Sequence, residues 1–236
     1  MKEINDLYDY GYKIVQKSDY FKFSLDSMLL ANFVNINMAD SKLLDFCTGN
    51  CPIPIILSNS IKNIVAFEVQ KEIYELGDES LTLNNINNVR LINDDIKNIG
   101  NYYDDGYFDI ITCNPPYFKV IDSSRINDNN VKAIARHEIL IKLEDIVSLA
   151  YKFLRDKGKL YIVYRPDRLM ELLKLFDKYK FGVKKLQCCY NNRESLSSMI
   201  LIEAMKNGHD DLKILAPLFT ENYFKNLRNR ILLSTT

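Results

Sequence analysis

Tryptophan is absent from this 236-residue chain, histidine occurs only twice, and no two cysteines are spaced as CxxC. The five cysteines (Cys47, Cys51, Cys113, Cys188, Cys189) and the two histidines (His137, His209) lack the tight ligand spacing of a zinc site, so no metal is expected. Buried free thiols in a reducing compartment are the reading instead. No run approaches the roughly 18 uninterrupted apolar residues of a membrane helix. The opening residues MKEINDLYDYGYKIVQ carry acids where a secretory signal would be basic and then apolar. A cytoplasmic protein without membrane contact is expected. An excess of one charge is also missing, because 31 basic residues face 31 acidic ones. The overall field therefore does not mark a polyanion binder, and any such site must come from local clustering. Repeats and low-complexity linkers are lacking as well.

What is present is ordinary globular composition, 47% hydrophobic and 26% charged, which excludes disorder as the main state. The length suits one α/β domain. Residues 1–24 read as an aromatic-rich cap or short strands. Ser24 has the character of an N-cap, followed by Leu25, Met28, Leu29 and Phe33 at helical spacing. Short apolar runs then alternate with longer amphipathic ones. Strands are expected at 42–46, 64–68, 89–93, 108–113, 159–164, 183–190 and 198–203. Helices are expected at 52–60, 71–83, 143–154 and 168–178, the first opened by proline. Such alternation implies a mostly parallel sheet with helices on both faces. The last two strands are joined by a short loop and must be antiparallel neighbours. Segment 122–130 reads as a mobile surface loop and 207–236 as a tail with a helix around 221–228. The whole is expected to be a single domain: cap and first helix to residue 40, core from 41 to 206, then the tail.

In open α/β sheets ligands sit at the C-terminal ends of the strands. Three features fall there. Asp45-Phe46-Cys47-Thr48-Gly49-Asn50-Cys51 forms the turn after the first core strand, Glu68 ends the second, and Asn114-Pro115-Pro116-Tyr117 ends the fourth. Asp94 or Asp95 ends the third. A glycine turn lets the backbone approach a ligand closely. An acid one strand over can accept both hydroxyl hydrogens of a ribose, and another acid can accept from an adenine amino group. Taken alone, Glu68 is equally a solvated strand end. In the NPPY element the prolines fix the backbone and remove donors. The Asn114 side-chain oxygen and the Pro115 carbonyl can both accept from one planar NH2 group, aiming its lone pair at an electrophile. Tyr117 offers a ring on which a base can stack.

These residues resemble the seven-stranded S-adenosylmethionine-dependent methyltransferases of the N6-adenine type. Phe21–Ala31 (FKFSLDSMLLA), Cys113–Phe118 (CNPPYF), Ala135–Glu138 (ARHE), Tyr164–Leu169 (YRPDRL) and Ala216-Pro217-Leu218 resemble segments of the bacterial tRNA1(Val) adenine-37 N6-methyltransferases. The resemblance implies a Rossmann-like sheet, S-adenosylmethionine as cofactor and an adenine of tRNA as substrate, at position 37 of a valine tRNA. By position it assigns Asp45 and Gly49 to the methionine end of the cofactor, Glu68 to its ribose and Asp95 to its adenine. Ser24 and Asp26 would close the cofactor pocket, and Asn114 would also border the cofactor. Asn114 and Pro115 would hold the target amine, Pro116 would stiffen the corner, and Tyr117 would stack on the base. RNA contacts are expected from Lys119, Arg125, Lys132 and Arg136, from Arg165 and Arg168, from Lys184 and Lys185, and from Lys225, Arg228 and Arg230. His137 either meets RNA or caps the loop. A monomer is expected.

The chain departs from the family's DxGxGxG pattern, since Cys47 and Cys51 stand where glycines are usual. Small side chains there are expected to be tolerated. Two other readings compete. One is methylation of a protein glutamine, whose amide suits the same acceptors; that family usually adds an N-terminal recognition domain. The other is a non-catalytic RNA-binding protein on the same fold.

Overall fold

The computed structural model describes residues 2–7, 10–17, 25–36, 41–115, 141–209 and 211–222. Ser24, the loop at 122–130 and nearly all of the expected tail helix lie outside these residues. An antiparallel pair opens the chain: β1 (Lys2–Asp6) and β2 (Lys13–Lys17) form a two-stranded sheet of their own. The main sheet holds β3 (Lys42–Phe46), β4 (Asn63–Phe67), β5 (Val89–Ile92), β6 (Phe108–Cys113), β7 (Leu154–Tyr164), β8 (Phe181–Tyr190) and β9 (Ser197–Lys206). Their order is β5-β4-β3-β6-β7-β9-β8, parallel throughout except for β9, which runs against both neighbours. The expected seven strands and closing antiparallel hairpin are therefore present. Two strands of two residues each, β10 (Lys213–Ile214) and β11 (Leu218–Phe219), extend the sheet by pairing with the outer edge of β8.

Helices cover both faces because the strands are apolar on both sides. Leu43 points into one cluster with Met28, Leu29 and Leu30 of α1 (Leu25–Phe33) and Ile53, Ile55 and Leu57 of α2 (Pro52–Leu57). Leu44 and Phe46, one residue out of phase, point into the other. There they meet Ile146, Val147 and Phe153 of α4 (Leu143–Phe153) and Leu172 and Phe176 of α5 (Leu169–Lys178). The remaining helix, α3 (Lys71–Leu83), lies beside β2 and β5 and buries Leu76, Gly77, Ser80 and Leu81.

Element limits depart from expectation where polar residues intervene. α2 stops at Leu57 because the Ser58 hydroxyl takes the Ile55 carbonyl at 2.8 Å, competing with the helical ladder. β7 begins five residues early, at Leu154: the polar stretch Arg155–Gly158 reads as a loop but lies within the strand, where its register with β6 shifts between Phe108 and Ile110.

On β9, Glu203 is 2% exposed and lies between Lys159 of β7 and Lys185 of β8, each 2.8 Å away. Burial pushes its carboxyl pKa up, but the two ammonium groups outweigh this and hold it below the ordinary value.

Candidate active site

The chain order reverses at β3: β4 and β5 are added on one side, β6 and β7 on the other. A crevice at such a switch point, beyond the strand ends, is where doubly wound sheets bind ligands. Phe46 and Cys113 are direct partners in the β3–β6 pair. The turn at 47–51 and the Asn114-Pro115 corner therefore emerge side by side.

The turn keeps a glycine-like backbone. Cys47, Gly49 and Cys51 have φ of 54°, 61° and 70°. Side chains resist this left-handed region, at a cost of roughly 1–2 kcal/mol per residue, so the surroundings must hold the two cysteines there. Thr48 N donates to the Phe67 carbonyl at 3.0 Å, and Cys51 N to the Thr48 carbonyl at 3.1 Å. The Cys51 thiol is fully buried, and burial raises its pKa far out of reach of neutral pH. Space for it comes from Gly77 of α3: a β-carbon built there would lie 3.1 Å from the sulfur. Burial also raises the Cys113 thiol, which sits against that of Cys47. Neither Cys51 nor Cys113 is thus an activated nucleophile.

Glu68 follows β4 immediately and is 5% exposed, so it is no solvated strand end. One carboxylate oxygen accepts from Gly49 N and the other from Gln70 N, both at 2.9 Å. It thereby fixes the glycine turn, with the Gln70 side chain and the Val69 amide also among its partners. Burial raises its pKa despite these bonds.

Asp45 is fully buried on β3 and accepts from the Thr112 hydroxyl of β6 at 2.6 Å. Burial lifts its pKa to about 7; the Thr112 bond and then the neighbouring Thr48 hydroxyl work against this, and the Glu68 charge adds to it. Its second oxygen, Oδ2, has no partner. Among the described residues only two other buried side-chain polar atoms share that condition, Thr48 Oγ1 and Gln16 Oε1. Thr48 lies in the same turn. Gln16 is on β2, whose Val15 carbonyl accepts from Asn50 of the turn at 2.9 Å. A buried unpaired acceptor costs about 1–3 kcal/mol. Asp45 and Thr48 belong to the turn and its strand, Gln16 to a strand tied to it through Asn50; acceptors of this kind suit a donor-rich cationic group such as an α-ammonium.

The remaining candidates are placed as follows. Asp94 accepts from Asp95 N, Asn98 and Tyr102, at 2.7, 2.8 and 2.9 Å, and these bonds hold its pKa down. Asp95 caps the short 3-10 turn Ile96–Asn101 through Lys97 N at 2.9 Å. Asp26 is half-buried in the first turn of α1. Asn114 directly follows β6, and its side-chain nitrogen donates to the Ser27 hydroxyl of α1 at 2.8 Å. Pro115 is buried beside it. Arg165, just past β7 on the same edge, pairs with Asp167 at 2.9 Å. Arg168 pairs with Glu171 and Lys184 with Asp211, while Lys185 serves Glu203. Ser24, Pro116, Tyr117, Lys119, Arg125, Lys132, Arg136, His137, Lys225, Arg228 and Arg230 lie outside the described residues. Sequence reading missed Gln16, Ser27, Thr48 and Thr112 as members of the site. For Ser27 a signal existed: it is a polar residue among the buried Met28, Leu29 and Leu30.

Comparison with known proteins agrees with this architecture. The solved structure of a predicted O-methyltransferase from Agrobacterium tumefaciens shares the fold, with a TM-score of 0.69, 18% identity, and coverage of 87% of this chain and 96% of that one. A tRNA1(Val) (adenine(37)-N6)-methyltransferase of Pseudoalteromonas translucida is 26% identical over 157 residues, 66% of this chain and 64% of that protein. A release factor glutamine methyltransferase of Francisella tularensis is 28% identical over 168 residues, 66% of this chain and 56% of its own length. The chain thus spans less than two thirds of either relative. Residues 22–185 match the family model described as the methyltransferase small domain. With that match over more than half its length, and with both the turn and the Asn114 corner inside it, the chain belongs to the methyltransferase small domain family.

Proposed function

We propose that this chain transfers the methyl group of S-adenosylmethionine to the N6 amine of an adenine in tRNA, at position 37 of a valine tRNA as the resemblance implies. The observation that carries the reading is the Asn114-Pro115 corner at the end of β6, beside the turn that follows β3.

The residues present fit the cofactor. Gln16 Oε1, Asp45 Oδ2 and Thr48 Oγ1 would take the ammonium of its methionine end. Glu68 would accept the ribose hydroxyls while keeping Gly49 in place, and Asp95 would meet the adenine. When bound, the cofactor supplies an electrophilic methyl group on a sulfonium. Everything else falls to the chain. Asn114 Oδ1 and the Pro115 carbonyl accept the two N–H bonds of the target amine, so that its lone pair is directed out of the plane of the base. Preorganised acceptors of this kind act through position and electrostatics and need no proton transfer before attack. Tyr117 would stack on the base, and Arg165 would offer charge to the RNA backbone. A base in an anticodon loop is already partly unstacked, which lowers the few kcal/mol that base flipping costs.

Methylation of a glutamine amide on a protein is the second reading, favoured by the similarity to release factor glutamine methyltransferases. The non-catalytic reading rested on the two missing glycines, but Cys47 and Cys51 hold the glycine-like backbone nonetheless. Incubating the protein with methyl-labelled S-adenosylmethionine and either bulk tRNA or protein lysate separates the three. Label is expected in tRNA as N6-methyladenosine, and tRNA from cells lacking the protein should lose that nucleoside at one site. Label in protein alone, recovered as N5-methylglutamine, would favour the glutamine reading, and label in neither the non-catalytic one. Asn114→Ala should lower kcat by about a hundredfold or more while cofactor affinity stays within a factor of about three.

A further inference from the structure

We infer that Ser27 is the positioning residue for Asn114, setting which end of its side-chain amide faces the methyl acceptor. This rests on the methyl-transfer reading above and assigns a role within it to a helix residue outside the Asn-Pro-Pro-Tyr element.

A carboxamide is nearly symmetric in shape but not in chemistry. One end is an acceptor and the other carries two donors. Rotation by half a turn about the last side-chain bond exchanges them at little steric cost. For an incoming NH2 group only one orientation works. The oxygen must face the amine, because the nitrogen end would bring donor against donor. A catalytic asparagine therefore gains from a fixed partner behind it that engages the nitrogen end and leaves the oxygen free to face the amine.

Ser27 is in that place. It lies in α1, 5% exposed, with Met28, Leu29, Leu30 and Ala31 buried after it. A hydroxyl at so buried a position must find a partner. Its oxygen accepts from the Asn114 side-chain nitrogen at 2.8 Å, across 87 residues of sequence. With its nitrogen end on Ser27, the amide turns Oδ1 away from the helix; the hydroxyl can donate as well as accept, so it anchors the amide while the N–H donors of the incoming amine favour this same sense. The helix is itself anchored, packing against α2, β7 and β9. The strand end is equally fixed, because Cys113, Thr112 and Ile111 are fully buried. Two rigid elements thus set the orientation of one amide. Alanine at residue 27 keeps the helix but removes the acceptor. Threonine keeps the hydroxyl and adds one methyl group.

The test compares wild type, Ser27→Ala and Ser27→Thr in labelled methyl transfer, alongside calorimetric titration with S-adenosylmethionine. Ser27→Ala is expected to lower kcat by five- to thirtyfold, with cofactor affinity and KM for the acceptor within twofold. Ser27→Thr should recover at least half of the wild-type kcat. Combined with Asn114→Ala, the alanine change should cost nothing further, since the two residues act as a unit. A second measurement needs no turnover. The side-chain NH2 signals of Asn114, identified by their loss in Asn114→Ala, should exchange with solvent faster in Ser27→Ala than in wild type. Unchanged kcat and unchanged exchange in Ser27→Ala would overturn the inference while leaving methyl transfer standing. A wild type that methylates neither tRNA nor protein would overturn the methyl-transfer reading and remove the basis for this role.

Discussion

Two cysteines in a turn built for glycines show how a side chain can be accommodated where the backbone resists it. Cys51 has a φ of 70° and places its sulfur where Gly77 of α3 leaves room. The two positions should therefore be coupled. Gly77→Ala pushes a methyl group to 3.1 Å from both the sulfur and Leu91 Cδ2, and should destabilise the protein by about 1–2 kcal/mol despite the better helix propensity of alanine. Cys51→Gly should be near neutral, since lost burial offsets relieved backbone strain. In the double variant much of the alanine penalty should disappear, giving a coupling of about 1 kcal/mol in a urea-denaturation cycle; strict additivity would refute the contact. Asp45 yields a pH prediction. Its pKa rises from 3.8 to about 7 on folding, so the folded state binds a proton in that interval. The stabilisation from the neutral acid is complete below pH 4 and is lost as pH rises through 7, on the order of 4 kcal/mol at most. Cofactor-free wild type should accordingly lose stability against Asp45→Asn across this window. Cofactor binding should run the opposite way, tightening as pH rises toward 7 and releasing a proton, which calorimetry in buffers of different ionisation enthalpy can count.

Among the elements, those with a clear period were legible and those without one were not. β3, β6 and α3 match their expected limits because apolar runs or helical stripes end at polar residues. β10 and β11 are two residues each, too short for any alternation, and their pairing with β8 is decided by tertiary contact. The polar start of β7 reads as a loop for the same reason: its register is set by β6. Nor does the sequence reveal that Lys185, which reads as a surface cation, is committed to Glu203. Glu203 joins three strands through charge. Glu203→Gln leaves two lysines facing a neutral amide and should cost about 2–3 kcal/mol at neutral pH, less than the 3–5 typical of fully buried pairs because both lysines reach solvent. Since the folded pKa is depressed, the wild-type advantage should be present above about pH 4.5 and vanish as pH falls below it. Equal melting temperatures for the two proteins at pH 7 would contradict this.

Over the whole molecule, the doubly covered parallel sheet was readable from alternation alone, and with it the edge at which ligands collect. Asp45, Gly49, Glu68 and Asn114 could be placed on that edge because each ends a strand or begins the turn after it. The rest of the site comes from segments remote in sequence. Gln16 arrives on the N-terminal hairpin, Ser27 on the first helix and Thr112 from within β6. No local pattern announces such residues, since their partners are chosen by tertiary packing. The two chemistries compatible with the Asn114 corner, adenine and glutamine, likewise present the same planar NH2, so discrimination has to lie outside the corner itself.

The docking of β2 has one more consequence. The side of this strand turned away from β1 has no strand neighbour. Its Lys13 and Val15 amides donate instead to Asn84, which caps α3, and to Ser80 within it, at 2.8 and 2.9 Å, and its Val15 carbonyl accepts from the Asn50 side chain of the turn. A two-stranded ribbon held by a few side chains opens more readily than the sheet beneath it. A ligand seated on Gln16 and the turn together would pin that ribbon shut. Deuterium uptake at residues 13–17 should then slow on ligand addition well beyond any change in β3 or β6, so that the start of the chain reports occupancy of a crevice formed some thirty residues later.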